Sequence, residues 1–182
     1  MQKIIETLQN AGVILTPTDT TFGLSCLAFD PEACNKINQI KQRPENKNFV
    51  LLVDSEARLQ KYVDVPDLAW DIIDLSEKPV TIVYDKIVNI PAHLISPQNT
   101  IAIRVVKLPL LQQIIQKVNQ PLVSTSANIS GEKVPKDFDE IHPKILNEVD
   151  LILPESQTFK PQFEASSIIQ ISHDGRVKVL RE

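Results

Sequence analysis

The stretch Pro121-Leu122-Val123-Ser124-Thr125-Ser126-Ala127-Asn128-Ile129-Ser130-Gly131 decides how this chain is read. Its apolar opening is of strand type and breaks into hydroxyl and amide side chains before a glycine, the way a buried strand delivers polar groups to a ligand at the end of a sheet. Ser124, Ser126 and Asn128 lie two apart, so extended backbone through all three points them to one side. The same residues also suit a polar loop with Ser and Asn turn chemistry, and the stretch alone fits both readings equally.

Working back from it, residues 108–118 carry Leu111, Ile114, Ile115 and Val118 at helical spacing,. Residues 100–106 read as a strand in which Arg104 interrupts an apolar run, and a charge there is costly unless it is paired or faces a polar cavity. Further strands are expected at 79–84 and 49–53, with short helices at 55–62 and 66–75, the second turning Leu68, Ile72 and Leu75 inward. A helix opened by Pro31 closes at Lys41-Gln42-Arg43-Pro44, where the proline places basic side chains on a loop ahead of a strand,. That loop is either an anion site or a solvated helix end with ordinary dipole partners. Near the start, a helix over residues 2–11 is stopped by Gly12, and a strand at 13–15 leads into four threonines and Asp19 within residues 16–23. This segment reads as a ligand-facing strand end or as a proline-initiated turn with Asp19 bonding its own backbone.

Beyond Gly131 come a helix-prone segment to about residue 147, a short strand at 151–154 and a loop over 154–165 that lacks periodicity. A hairpin follows, of strands 166–171 and 177–181 around Asp174-Gly175. Strands alternate with helices and also pair by hairpin, which predicts an α/β fold of α+β character. The expected architecture is a single domain over residues 1–182 with helices packed on a twisted mixed β-sheet.

Composition narrows the function. The chain has 182 residues, a net charge of −4 and a pI near 5.4, so any polyanion must be met by a local basic pocket rather than by the whole surface,. Cys26 and Cys34 are too few for a disulfide framework, no signal core is visible and no apolar run approaches the ~20 residues of a membrane span. A cytoplasmic protein is expected. Four glycines cannot write a dinucleotide fingerprint or a Walker loop,. His93, His142 and His173 lack metal-ligand spacing, and the Gly-x-Ser-x-Gly elbow of many serine hydrolases is absent. What remains is hydroxyls and amides (residues 16–21, Ser124, Ser126, Asn128, Ser166) with cations (Lys41, Arg43, Arg104, Lys47, Arg181). That inventory suits an anionic, hydroxyl-rich ligand and phosphoryl or nucleotidyl transfer, in which rate comes from positioning and charge neutralisation.

Residues 17–24 (PTDTTFGL), 41–44 (KQRP), 100–105 (TIAIRV) and 124–131 (STSANISG) together resemble, in order, the motifs of the YrdC-like family, and within it the single-domain threonylcarbamoyl-AMP synthases of the TsaC type. The resemblance implies a YrdC-like fold with a basic concave pocket. It implies condensation of L-threonine, bicarbonate and ATP to threonylcarbamoyl-AMP and pyrophosphate, with Mg²⁺ accompanying ATP. The product would pass to a separate transferase complex that modifies tRNA. By position in the motifs, Thr20, Arg104, Ser126 and Ser166 hold threonine. Arg43, Lys47, Thr100, Ser124, Asn128, Lys136 and Arg181 meet ATP, and Lys41 and Arg43 are the catalytic cations. Lys47 stands where many members have Asn, and Lys136 where a hydroxyl is usual. A contrasting expectation is a YrdC-like RNA-binding or ribosome-associated module, touching tRNA or double-stranded RNA without this activity.

Overall fold

The computed structural model describes residues 1–44, 48–163 and 165–182. Helices α1 (Gln2–Gln9), α2 (Pro31–Lys41), α3 (Glu56–Leu59), α4 (Asp67–Leu75), α5 (Pro109–Val118), α6 (Pro143–Glu148) and α7 (Glu155–Thr158) surround a mixed sheet. Its strands are β1 (Ile14–Pro17), β2 (Phe22–Leu27), β3 (Val50–Val53), β4 (Val80–Tyr84), β5 (Ile101–Val105), β6 (Leu122–Ser126), β7 (Leu151–Ile152), β8 (Ser167–Ile171) and β9 (Val177–Arg181). Across the sheet they run β7-β1-β2-β6-β3-β5-β4-β8-β9, with β3 parallel to β5, β4 parallel to β8 and β1 parallel to β7.

Alternation along the central strands sorts side chains onto two packed faces. Leu15, Leu24, Leu51, Ile103 and Val123 meet α2 and α4 in one core cluster, whereas Ile14, Leu27, Leu52 and Leu122 meet Leu8 of α1 and Leu111, Ile114 and Ile115 of α5 in a second. On this second face the apolar run fails in register. Leu122 gives way to Ser124 and Ser126, Leu27 to Ser25 and Gly23, and Val106 to Arg104, with Ser124 opposite Ser25 and Ser126 opposite Gly23. At that end of the face hydroxyls and one guanidinium replace methyl groups, and a cavity lies there.

Several expectations are corrected. β2 is buried along its whole length, so it shows no polar alternation and escapes a pattern-based reading,. The first helix ends at Gln9 and the chain reverses at Ala11, whose φ is 55°. Gly12 is needed for space, because a Cβ there would stand 2.4 Å from the Thr7 carbonyl oxygen. In α4 the buried residues are Ala69 and Ile73, while Leu68 and Leu75 are exposed. Both sets have helical spacing, and periodicity cannot choose between them in so short a helix. Residues 154–165 are not wholly irregular: α7 is fixed by the buried Ser156, whose hydroxyl donates to the Leu15 carbonyl at 3.3 Å, and Phe159 packs edge-on against Phe22 at 5.2 Å. Among the described residues, no helix is long and apolar enough to cross a membrane.

Candidate active site

A cavity of about 370 Å³ opens over the ends of β2, β3, β5 and β6, and β9 closes one side. Its described lining includes Lys41, Arg43, Arg104 and Arg181 and no carboxylate. In a chain of net charge −4 this is a local concentration of positive charge, and hydroxyls of Thr18, Thr20, Thr21, Ser124, Ser126 and Ser166 share the wall with it.

The threonine segment forms a closed clasp. The Thr18 hydroxyl donates to the Thr21 carbonyl at 2.7 Å and accepts from the backbone N–H groups of Thr20 and Thr21 at 3.1 and 3.2 Å, and the Thr20 hydroxyl lies 3.0 Å from it. This is a hydroxyl turn that holds a tight loop in one conformation. Beneath it passes Gly23, where a Cβ would stand 2.7 Å from Thr18 Cγ2 and 3.0 Å from Ser124 Oγ. Thr18 is pinned by its clasp and cannot yield. Gly23→Ala is therefore expected to cost about 1–3 kcal/mol by overpacking and to raise the KM for whichever ligand Thr20 holds. Thermal unfolding and steady-state kinetics measure the two effects.

Arg104 is 6% exposed and reaches the Thr20 hydroxyl at 3.5 Å and the Asp19 carboxylate at 3.8 Å, both long contacts. Burial holds its guanidinium below the usual range; Asp19 opposes that shift and nearby Arg181 reinforces it. Arginine nevertheless stays charged, so two neighbouring guanidiniums face a cavity whose described lining holds no carboxylate. Arg181 donates from Nε to the Ser166 carbonyl at 3.0 Å, and the Ser166 hydroxyl lies 2.8 Å from that of Thr81. The β8–β9 hairpin thereby brings residues from the end of the chain to Arg104.

On the other side, Lys41 is 4% exposed, and its ammonium is turned to the end of β6. It donates to the Ser126 carbonyl at 2.5 Å, the Asn128 carbonyl at 2.6 Å and Asn128 Oδ1 at 3.3 Å, and its own carbonyl accepts from the Ser130 N–H. The Asn128 amide donates to the carbonyls of Ile129 and Glu132 and accepts from the Ser126 hydroxyl at 2.5 Å. Arg43 lies over the Phe49 ring at 4.7 Å, donates to the Thr125 hydroxyl at 3.2 Å and to the Asn48 carbonyl, and is held below its usual range by burial.

The structure thus brings Thr20, Lys41, Arg43, Arg104, Ser124, Ser126, Asn128, Ser166 and Arg181 to one cavity. Two expected residues are not among its described lining. Thr100 shares the face of Arg104 by alternation, and its hydroxyl lies 2.7 Å from that of Ser96. Lys136 lies just past Pro135, whose carbonyl accepts from Thr21, and its backbone N–H donates to Glu140. Lys47 falls outside the described residues. Extension through β6 continues to Ser126, so Ser124 and Ser126 share a face, while Asn128 reaches the cavity from the turn beyond. Asn48 and Thr125 were missed as individual site residues; the one available signal was their adjacency to the basic loop and to Ser124. His93, His142 and His173 all lie outside the cavity.

The chain is similar to known proteins over most of its length. The Sua5/YciO/YrdC family model, described as telomere recombination, matches residues 6–182. The chain is 34% identical over 155 residues to the threonylcarbamoyl-AMP synthase of Pseudoalteromonas translucida, covering 83% of each protein. Among solved structures, Escherichia coli YciO superposes with a TM-score of 0.83 at 27% identity, over 99% of this chain and 87% of that one. Pyrococcus abyssi Sua5 complexed with L-threonine gives 0.80 at 20% identity, over 93% of this chain; the match spans half the length of that longer protein.

Proposed function

The chain belongs to the Sua5/YciO/YrdC family, and we propose that its cationic, hydroxyl-lined cavity is the active site of a threonylcarbamoyl-AMP synthase. The protein condenses L-threonine, bicarbonate and ATP to threonylcarbamoyl-AMP and pyrophosphate. The observation that carries this reading is the convergence of Arg104, Arg181, Arg43 and Lys41 with the Thr20, Ser126 and Ser166 hydroxyls on a wall whose described residues include no carboxylate.

In the reaction, the threonine amine adds to the carbon of bicarbonate and loses water to give a carbamate. A carbamate oxygen then attacks the α-phosphorus, and the bond from that phosphorus to the bridging oxygen breaks to release pyrophosphate. Both partners are anions, so the protein's part is to hold like charges together and to stabilise the leaving group. Arg104 takes the threonine carboxylate, with Thr20, Ser126 and Ser166 around the rest of the amino acid. Arg43, Ser124, Asn128 and Arg181 face the nucleotide, and Lys41 fixes the turn on which it lies. Among the described residues no group of three or more His, Cys, Asp or Glu could hold a metal ion. Magnesium would accompany ATP and supply charge neutralisation at its phosphates, beside the cations Arg43 and Arg181,. The product then serves tRNA threonylcarbamoylation through a separate transferase.

The expected result is pyrophosphate release from ATP that requires threonine and bicarbonate together. Release indifferent to threonine, or salt-sensitive binding of tRNA or double-stranded RNA without turnover, overturns the reading.

A further inference from the structure

A second cavity, of about 310 Å³, lies behind the first. The clasp is the partition: Thr18 lines both cavities, Thr20 and Thr21 face the first, and Asp19, between Thr18 and Thr20, faces the second. Arg104 on β5 therefore has substrate space on one side and a buried carboxylate on the other. The geometry of this pair is unusual. Asp19 Oδ1 and Arg104 Nη2 are 3.8 Å apart, beyond hydrogen-bond length, with side chains 11% and 7% exposed. Neither Asp19 Oδ1 nor Arg104 Nε has a hydrogen-bond partner among the described residues. Among the described residues, Asp19 Oδ2 accepts one bond, a long one of 3.4 Å from the Lys107 backbone N–H. The expected bond from Asp19 to its own backbone is replaced by this cross-strand placement.

A carboxylate meant to orient a guanidinium makes short, paired hydrogen bonds to it. This one supplies charge without taking the donors. A buried guanidinium without a counter-charge strongly destabilises a fold, whereas one closed into a tight bidentate pair commits two of its five N–H donors, and its charge, to that partner. We propose that Asp19 is the resident counter-ion of Arg104: it acts through that guanidinium, neutralising it from the second cavity while leaving its donors to the carboxylate of the amino-acid substrate. The inference rests on Arg104 being the threonine carboxylate site.

Asp19 and the substrate carboxylate then share one cation, so Asp19 weakens substrate binding in return for keeping the empty site folded. In Asp19→Asn the ligand becomes the sole counter-ion. Its Kd for threonine, read by calorimetry, is expected to fall by about tenfold, with the Kd for ATP unchanged. The thermal midpoint without threonine falls, and added threonine restores it by a larger shift than in the parent protein. Asp19→Glu, for which the second cavity has room, returns the threonine Kd towards the parent value. An Asp19→Asn chain that folds only with threonine present supports the assignment. Unchanged or weaker threonine binding, or failure to fold with and without threonine, overturns it. Arg104→Met separates the two readings: if it leaves the threonine Kd intact, the substrate assignment has failed, and if it abolishes binding while Asp19→Asn does not tighten it, only the counter-ion role has failed.

Discussion

Arg104→Met is expected to lower threonine-dependent kcat/KM by roughly a thousandfold, because about two charge-assisted hydrogen bonds to a carboxylate are lost together. Methionine keeps much of the stem's packing and removes only the charge and donors. The loss falls on threonine, so the KM for ATP moves little. Stability also falls, by about 3 kcal/mol, since the substitution strands Asp19 as a buried carboxylate with one long hydrogen bond,. The double variant Arg104→Met/Asp19→Asn removes that stranded charge and is expected to recover most of the stability and none of the turnover. Kinetics and denaturant unfolding of the two singles and the double form a cycle that separates the residue's binding role from its place in the fold. A double variant as unstable as the single would mean that Arg104 is held by packing instead of charge.

How much of this site could be read from the residues alone depends on what each residue's neighbours reveal. Arg104 was legible because a charge inside an apolar strand demands a partner or a polar cavity, and the structure supplies both,. Ser124 and Ser126 were legible because alternation fixes their side once the strand is granted. Strand β2 was not, because burial on both faces erases the polar beat that marks a strand, and with it went the role of Gly23 as the floor beneath the threonine clasp. Thr100 is a different case: its place in the motif suggested a nucleotide contact, and the described residues show only that its hydroxyl meets that of Ser96. The facing of α4 failed for another reason, since Leu68 and Leu75 recur at helical spacing as well as Ala69 and Ile73 do. Only the sheet beneath the helix decides between them.

The end of α2 carries the second large effect. Motif position makes Lys41 a source of charge for phosphate, yet its ammonium donates at 2.5 and 2.6 Å to the carbonyls of Ser126, at the end of β6, and Asn128, in the turn beyond it. A lysine that only met phosphate could be removed with the fold intact. Lys41 removed from this position leaves two carbonyls without their donor and frees the turn that Asn128 organises, so Lys41→Met is expected to lower stability by about 2–4 kcal/mol, each charge-assisted bond contributing on the order of 1.5–3. Turnover falls with it by at least about a hundredfold, because near-ångström displacement of a positioning turn has that scale of effect. Lys41→Arg should not rescue either property: the acceptors converge on one nitrogen, which a compact ammonium satisfies and a planar fork cannot. Thermal unfolding beside pyrophosphate release decides the matter. An unchanged midpoint with lost turnover returns Lys41 to the phosphates, and a parallel loss makes it the pin that holds the nucleotide end of the cavity in shape.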